Sequence, residues 1–161
     1  MHAETLPQRL ERILSGSIRH AGALEAALQR ESAALSSRDL DGMDAAVAEK
    51  QERVQQLEAL TREQTQLLTR EGYSADAQGM ERCLRDWDEE AVLHPLWQRL
   101  TEIMNHCRQL NQVNGGVVET ARRRVDQAIH ILRSGGDTRT ELYDPRGRTF
   151  STTSSQSITK A

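Results

Sequence analysis

Along residues 7–36, apolar side chains recur at steps of three and four: Leu10, Leu14, Ile18, Ala21, Leu24, Leu28 and Leu35, with polar residues between them. That period places them on one face of a helix, and Pro7 suits its first turn. The pattern breaks at "SSRDLDGMD", where Ser37, Asp39 and Asp41 are candidate caps of a second helix. The second stripe is Leu40, Met43, Val47, Val54, Leu57, Leu60 and Leu67, and the helix reaches about Glu71, with Gly72 as its stop. Lys50 and Gln64 fall on the same face, so this seam is not dry throughout.

"YSADAQG" reads as a connection, with Ser74 or Asp76 as cap of a short helix over 77–86. "DWDEE" then sets acids before the next helix, where they complement its positive end; Pro95 fits its first turns. From about 92 to 133 one stripe persists: Leu93, Leu96, Leu100, Ile103, Cys107, Leu110, Asn114, Val117, Ala121, Val125, Ala128 and Leu132. Steps of three and four sustained this long are coiled-coil-like. "SGGD" at 134–137 ends the run. The predicted class is an all-α, elongated, antiparallel helical bundle. A bundle domain spans 1–134. A Ser/Thr-rich flexible tail spans 135–161, with a hairpin candidate over 141–150 around Pro145-Arg146-Gly147.

At 1.5 Å per residue, the last helix is about 60 Å long and the first two about 45 Å each. Roughly 15 Å of the longest helix is therefore expected to lack a full-length partner. An uncovered apolar stripe pairs with a second copy or another protein. The stretch "LNQVNGGVVETARRR" at 110–124 stands out within it. Asn111 and Asn114 fall on the stripe, and Gly115 and Gly116 follow. Each glycine costs a helix interior about 1 kcal/mol relative to alanine. Polar residues in an apolar seam fix register, and glycines permit a close helix approach or a kink.

The composition fits a thin core. Hydrophobic residues are 37% of the 161, and the only aromatic ones are Tyr73, Trp87, Trp97, Tyr143 and Phe150. A net charge of −3 gives no reason to expect nucleic acid or an anionic membrane as partner. Arg122-Arg123-Arg124 spreads around a helix and reads as a solvated face. No run approaches the ~20 apolar residues of a membrane span. The N-terminus lacks the apolar core of a signal peptide, and Cys83 and Cys107 have no CxxC spacing. A cytoplasmic location is expected, with no membrane insertion.

Enzyme chemistry finds little footing. A di-iron bundle site needs two Glu-x-x-His motifs; Glu90–His94 and Glu102–His106 are spaced by four. Cys83, His94, His106 and Cys107 match no zinc pattern. No glycine-rich phosphate loop is present, since no strand precedes Gly115-Gly116. No catalytic residue, metal or cofactor is expected.

"NQVNGG" resembles the N-x-x-N-G signature in the last long helix of the FlgN family of flagellar type III export chaperones. "LYDPRGRT" is similar to that family's Tyr-x-x-x-Gly segment, and "SSQSITKA" to its frequent Ile-x-Lys-Ala end. The resemblance implies a cytoplasmic chaperone that binds the C-terminal segments of the hook–filament junction proteins FlgK and FlgL. It implies that these clients are kept from premature association and presented to the cytoplasmic domain of the export gate protein FlhA. Family client binding is attributed to the C-terminal amphipathic region, matched here by Val117, Val118, Ala121, Val125, Ile129 and Leu132. A tail tyrosine associated with docking to FlhA is matched by Tyr143. Asn111, Asn114 and Gly115 are then expected to mark where the helix turns from internal packing to an adaptable segment. The alternative is a self-associating coiled-coil structural or adaptor protein, and a weak homo-oligomer is compatible with either.

Overall fold

The computed structural model describes residues 2–133, 141–143 and 149–151, with side chains for 2–116 and 123. Helix α1 is Leu6–Ser37, α2 Leu40–Arg70, α3 Ala77–Trp87 and α4 Leu93–Arg133. Two short strands, β1 (Glu141–Tyr143) and β2 (Thr149–Ser151), pair antiparallel with Leu142 opposite Phe150. The class is all-α helical, with the small hairpin where the sequence suggests it. The turn residues 145–147, the joint at 134–136 and the tail from 152 lie outside the described residues.

Helix ends are set by local chemistry. Thr5 and Gln8 form a reciprocal capping box at the start of α1 (2.9 and 3.4 Å), with Pro7 in the first turn. Arg38 takes a left-handed conformation (φ 55°) and Asp39 caps α2 by accepting from the Gly42 amide (3.0 Å). Asp76 caps α3 through the Gly79 amide (2.8 Å). Position 79 must be glycine, because a Cβ there would collide with the Ser74 backbone carbonyl.

The chain divides into two compact units, Met1–Gly115 and Gly116–Ala161. In the first unit α2 runs back along α1, as the pairs Arg12–Glu63 (2.7 Å) and Arg30–Glu49 (3.0 Å) show. The first part of α4 runs parallel to α1. Cys107 faces Ala21 and Asn114 faces Leu28, both separated by 86 residues. The core holds Leu10, Ile13, Leu14 and Leu28 of α1, Leu68 of α2, Met80 and Cys83 of α3, and Leu93, Leu100 and Ile103 of α4. In the second unit the last part of α4 precedes the β1–β2 hairpin.

Periodicity overstated the α2 stripe. Leu40 is 76% exposed and Val54 38%, whereas Ala46 and Leu68, outside the expected stripe, are buried. Leu40 is the first residue of its helix, and only neighbours at one end can cover it.

Candidate functional site

Asn114 is 2% exposed. Its amide nitrogen donates to the Leu28 carbonyl (3.0 Å) and to Glu31 Oε1 (2.9 Å). Two acceptors facing one atom identify it as the nitrogen. Glu31 is 4% exposed and is reached from α2 by Lys50 Nζ, 3.1 Å from Oε2. The same ammonium donates to Asn111 Oδ1 (3.2 Å), on the exposed side of α4. One carboxylate, one ammonium and two amides thus tie α1, α2 and α4 together. Their satisfied polar atoms select one register, because any axial slip would strand a buried charge.

The sequence marked Asn114 and the inward face of Lys50; Asn111, expected on the apolar stripe, is exposed and reaches the network only through Lys50, and Glu31 was missed. A signal existed: Glu31 follows Leu24 by seven and Leu28 by three, so it lies on the α1 stripe. A lysine on one apolar face calls for a carboxylate on a facing one.

The glycines act differently from one expectation. A Cβ at Gly115 or Gly116 would meet nothing within 4 Å, so a methyl group would be accepted at either position without collision. What remains is their low helix preference, and the two units divide between them.

Val117, Val118, Ala121, Val125, Ile129 and Leu132 all lie on the backbone of α4 in the second unit; their side chains lie outside the described residues. Tyr143 closes β1, opposite Thr149 of β2, and its side chain likewise lies outside them.

The residues weighed for metal chemistry have other partners. His94 pairs with Glu81 (3.5 Å) and His106 Nδ1 lies 2.8 Å from Glu25, linking α4 to α1. Burial pushes the thiols of Cys83 and Cys107 up to about 11, so both stay protonated at neutral pH. Among the described residues no three His, Cys, Asp or Glu side chains gather to hold a metal ion. Among them, too, no helix is long and apolar enough to cross a membrane.

The acids of "DWDEE" find a specific use at Asp88. Its carboxylate accepts from the Val92, Leu93 and His94 amides, each at 2.9 Å. Burial alone raises its pKa, but the amides of Leu93, His94 and Val92 outweigh that and hold it below the ordinary aspartate value. The start of α4 is thereby capped by a single side chain. Ala91, in a left-handed conformation (φ 54°), makes the bend that brings those amides round.

The family model described as FlgN protein matches residues 1–150. No curated relative matches the chain. The crystal structure of a protein described as a flagella synthesis protein FlgN, from Pseudomonas aeruginosa, is similar with a TM-score of 0.62 and 30% identity. The match covers 68% of this chain and 86% of that one. With the family pattern running over residues 1–150, from the first helix into the hairpin, the chain belongs to the FlgN family.

Proposed function

We propose that the chain is a cytoplasmic flagellar export chaperone that captures the C-terminal segments of FlgK and FlgL and hands them to the export gate. The observation that carries this reading is the span of the family match. It takes in the late stripe of α4 and Tyr143 as well as the bundle. An amphipathic client helix lays its apolar face along Val117, Val118, Ala121, Val125, Ile129 and Leu132. Burial of that face keeps the client from associating early, and no catalytic step or cofactor takes part. Tyr143 offers the cytoplasmic domain of FlhA a rigid ring with one hydroxyl, a common interface anchor.

The experiment is co-purification and titration with FlgK and FlgL C-terminal peptides and with the FlhA cytoplasmic domain. Val125→Asp with Ile129→Asp abolishes client binding while helicity is retained, because a carboxylate is desolvated at a surface meant to be dry. Loss of helicity instead would make the stripe internal core. Tyr143→Ala leaves client affinity within a few-fold and weakens FlhA binding by ~2 kcal/mol, or roughly thirty-fold. A concentration-dependent dimer that binds none of these proteins would favour the self-associating adaptor.

A further inference from the structure

A groove of about 500 Å³ lies between the start of α1 and the α3–α4 junction. Pro7, Trp87 and Val92 supply apolar surface, and Glu11, Glu89 and Glu90 supply charge. Trp87 is 43% exposed and Val92 40%. A half-exposed tryptophan invites explanation, since the same ring packs well in a core.

The ring is not loose. Trp87 Nε1 donates to the Tyr73 hydroxyl (3.1 Å), which in turn donates to Asp86 Oδ2 (2.7 Å). An anchor already held in place loses little freedom when a partner arrives. The charge around it is also uncompensated. Glu4, Glu25, Glu31, Glu49, Glu63, Glu81 and Glu102 each face a cationic or histidine side chain. Glu11, Glu89 and Glu90, like Glu52, Glu58 and Glu71 elsewhere, make no ion pair among the described residues, but these three share one groove that no lysine or arginine lines. The backbone amides at the start of α4 are not open to an anionic ligand, because the Asp88 carboxylate already occupies those of Val92, Leu93 and His94.

We propose that this groove is a second docking surface, and that its occupant is a basic peptide segment of another protein carrying an apolar side chain beside arginine or lysine. A guanidinium stacks on the Trp87 ring and reaches the free carboxylates, while the apolar side chain covers Val92 and Pro7. Nucleic acid and anionic lipid are repelled by the same charges. All of these residues belong to the first unit and none to the α4 stripe 117–132, so the two surfaces share no residue.

The test uses the full chain and a labelled, acetylated and amidated peptide, LRKLLRKLLRKL, against its acidic counterpart LEELLEELLEEL. Saturable binding of the basic peptide alone is expected, weakening several-fold between about 50 and about 300 mM salt. Trp87→Ala weakens it about tenfold, as expected for an anchor. Glu89→Lys with Glu90→Lys, both on exposed positions, weakens it at least as much. Should Trp87→Ala unfold, the charge-reversal pair decides. The Val125→Asp, Ile129→Asp variant binds the peptide as the unmodified chain does, which separates this surface from the client reading. Equal binding of the acidic peptide, no binding of either, or affinity untouched by the groove variants overturns the proposal.

Discussion

Where α1 begins, the first unit is filled by Leu10, Ile13, Leu14, Leu68, Met80 and Cys83, every one nearly inaccessible. Eighteen residues further along α1, about 27 Å away, small side chains and charge come in: Ala27, Ala34 and Ala46 are buried, as is Glu31, with Lys50 and Asn114 in contact with it. The first end holds by apolar area, a non-directional force that tolerates small shifts. The second end gains little net energy, since paired charges repay most of their desolvation and little more. It discriminates instead, and it lies immediately before the division between the units. A chain built this way keeps its fold at one end and specifies helix alignment at the other.

The sharpest way to test that contrast is to remove one side chain from each end. Leu14→Ala should cost about 3 kcal/mol in urea unfolding, because it opens a cavity in a site with 0% exposure. Glu31→Ala should cost less, about 2 kcal/mol, by stranding Lys50 and one donor of Asn114. The informative partner is the double change Glu31→Leu with Lys50→Met. It should fall within about 1 kcal/mol of the unmodified chain, the stranded donor of Asn114 being the remaining cost, while broadening the amide spectrum of α4, since most stability is restored but register is not. A sharp spectrum would mean that apolar packing alone sets the alignment.

Asp88 gives a smaller and pH-dependent effect. Asp88→Ala should lower stability by about 1 kcal/mol at neutral pH, the usual worth of a cap. A carboxyl depressed in the folded state contributes fully above its unfolded pKa of about 3.9 and loses that contribution as pH falls through the folded value. The two stability curves should therefore converge only in acid, below about pH 4. The smallest change should be favourable. Gly115→Ala and Gly116→Ala meet open space and should each raise stability by about 0.5 kcal/mol in thermal melts. If client affinity drops in the same variants, weak helix at the division is part of partner capture.

The helices were legible because their ends carry chemistry as well as period. The expected spans 7–36, 77–86 and 92–133 meet Leu6–Ser37, Ala77–Trp87 and Leu93–Arg133. Asp39 and Asp76, both candidate caps, are the caps. What stayed hidden depends on neighbours distant in sequence. A stripe tells which face of a helix is apolar, and not whether a partner reaches it, so Leu40 and Val54 looked buried. Glu31 was not singled out, because its partners Asn114 and Lys50 come to it from 83 and 19 residues away. The left-handed residues Arg38 and Ala91 carry no glycine signature, and the exposed Trp87 is indistinguishable in sequence from a core ring. Asn111 and Asn114 were marked by position alone, and geometry resolved their partners.

The parallel course of α1 and α4 has a consequence for how the chain acquires its fold. The α1–α2 pair closes over the single turn at Arg38–Asp39, whereas Cys107 meets Ala21 only after 86 residues have been made. Closing a longer loop costs more chain entropy and slows the step that closes it. During synthesis the α1–α2 hairpin is therefore expected to form on its own while α4 is still being made. Of the α1–α4 contacts named above, those of Asn114 lie furthest along α4 and are expected to form after that of Cys107, as a check on whether α4 has settled at the right height. A chain released before that moment would hold its N-terminal hairpin and leave Glu31 and Lys50 with only each other.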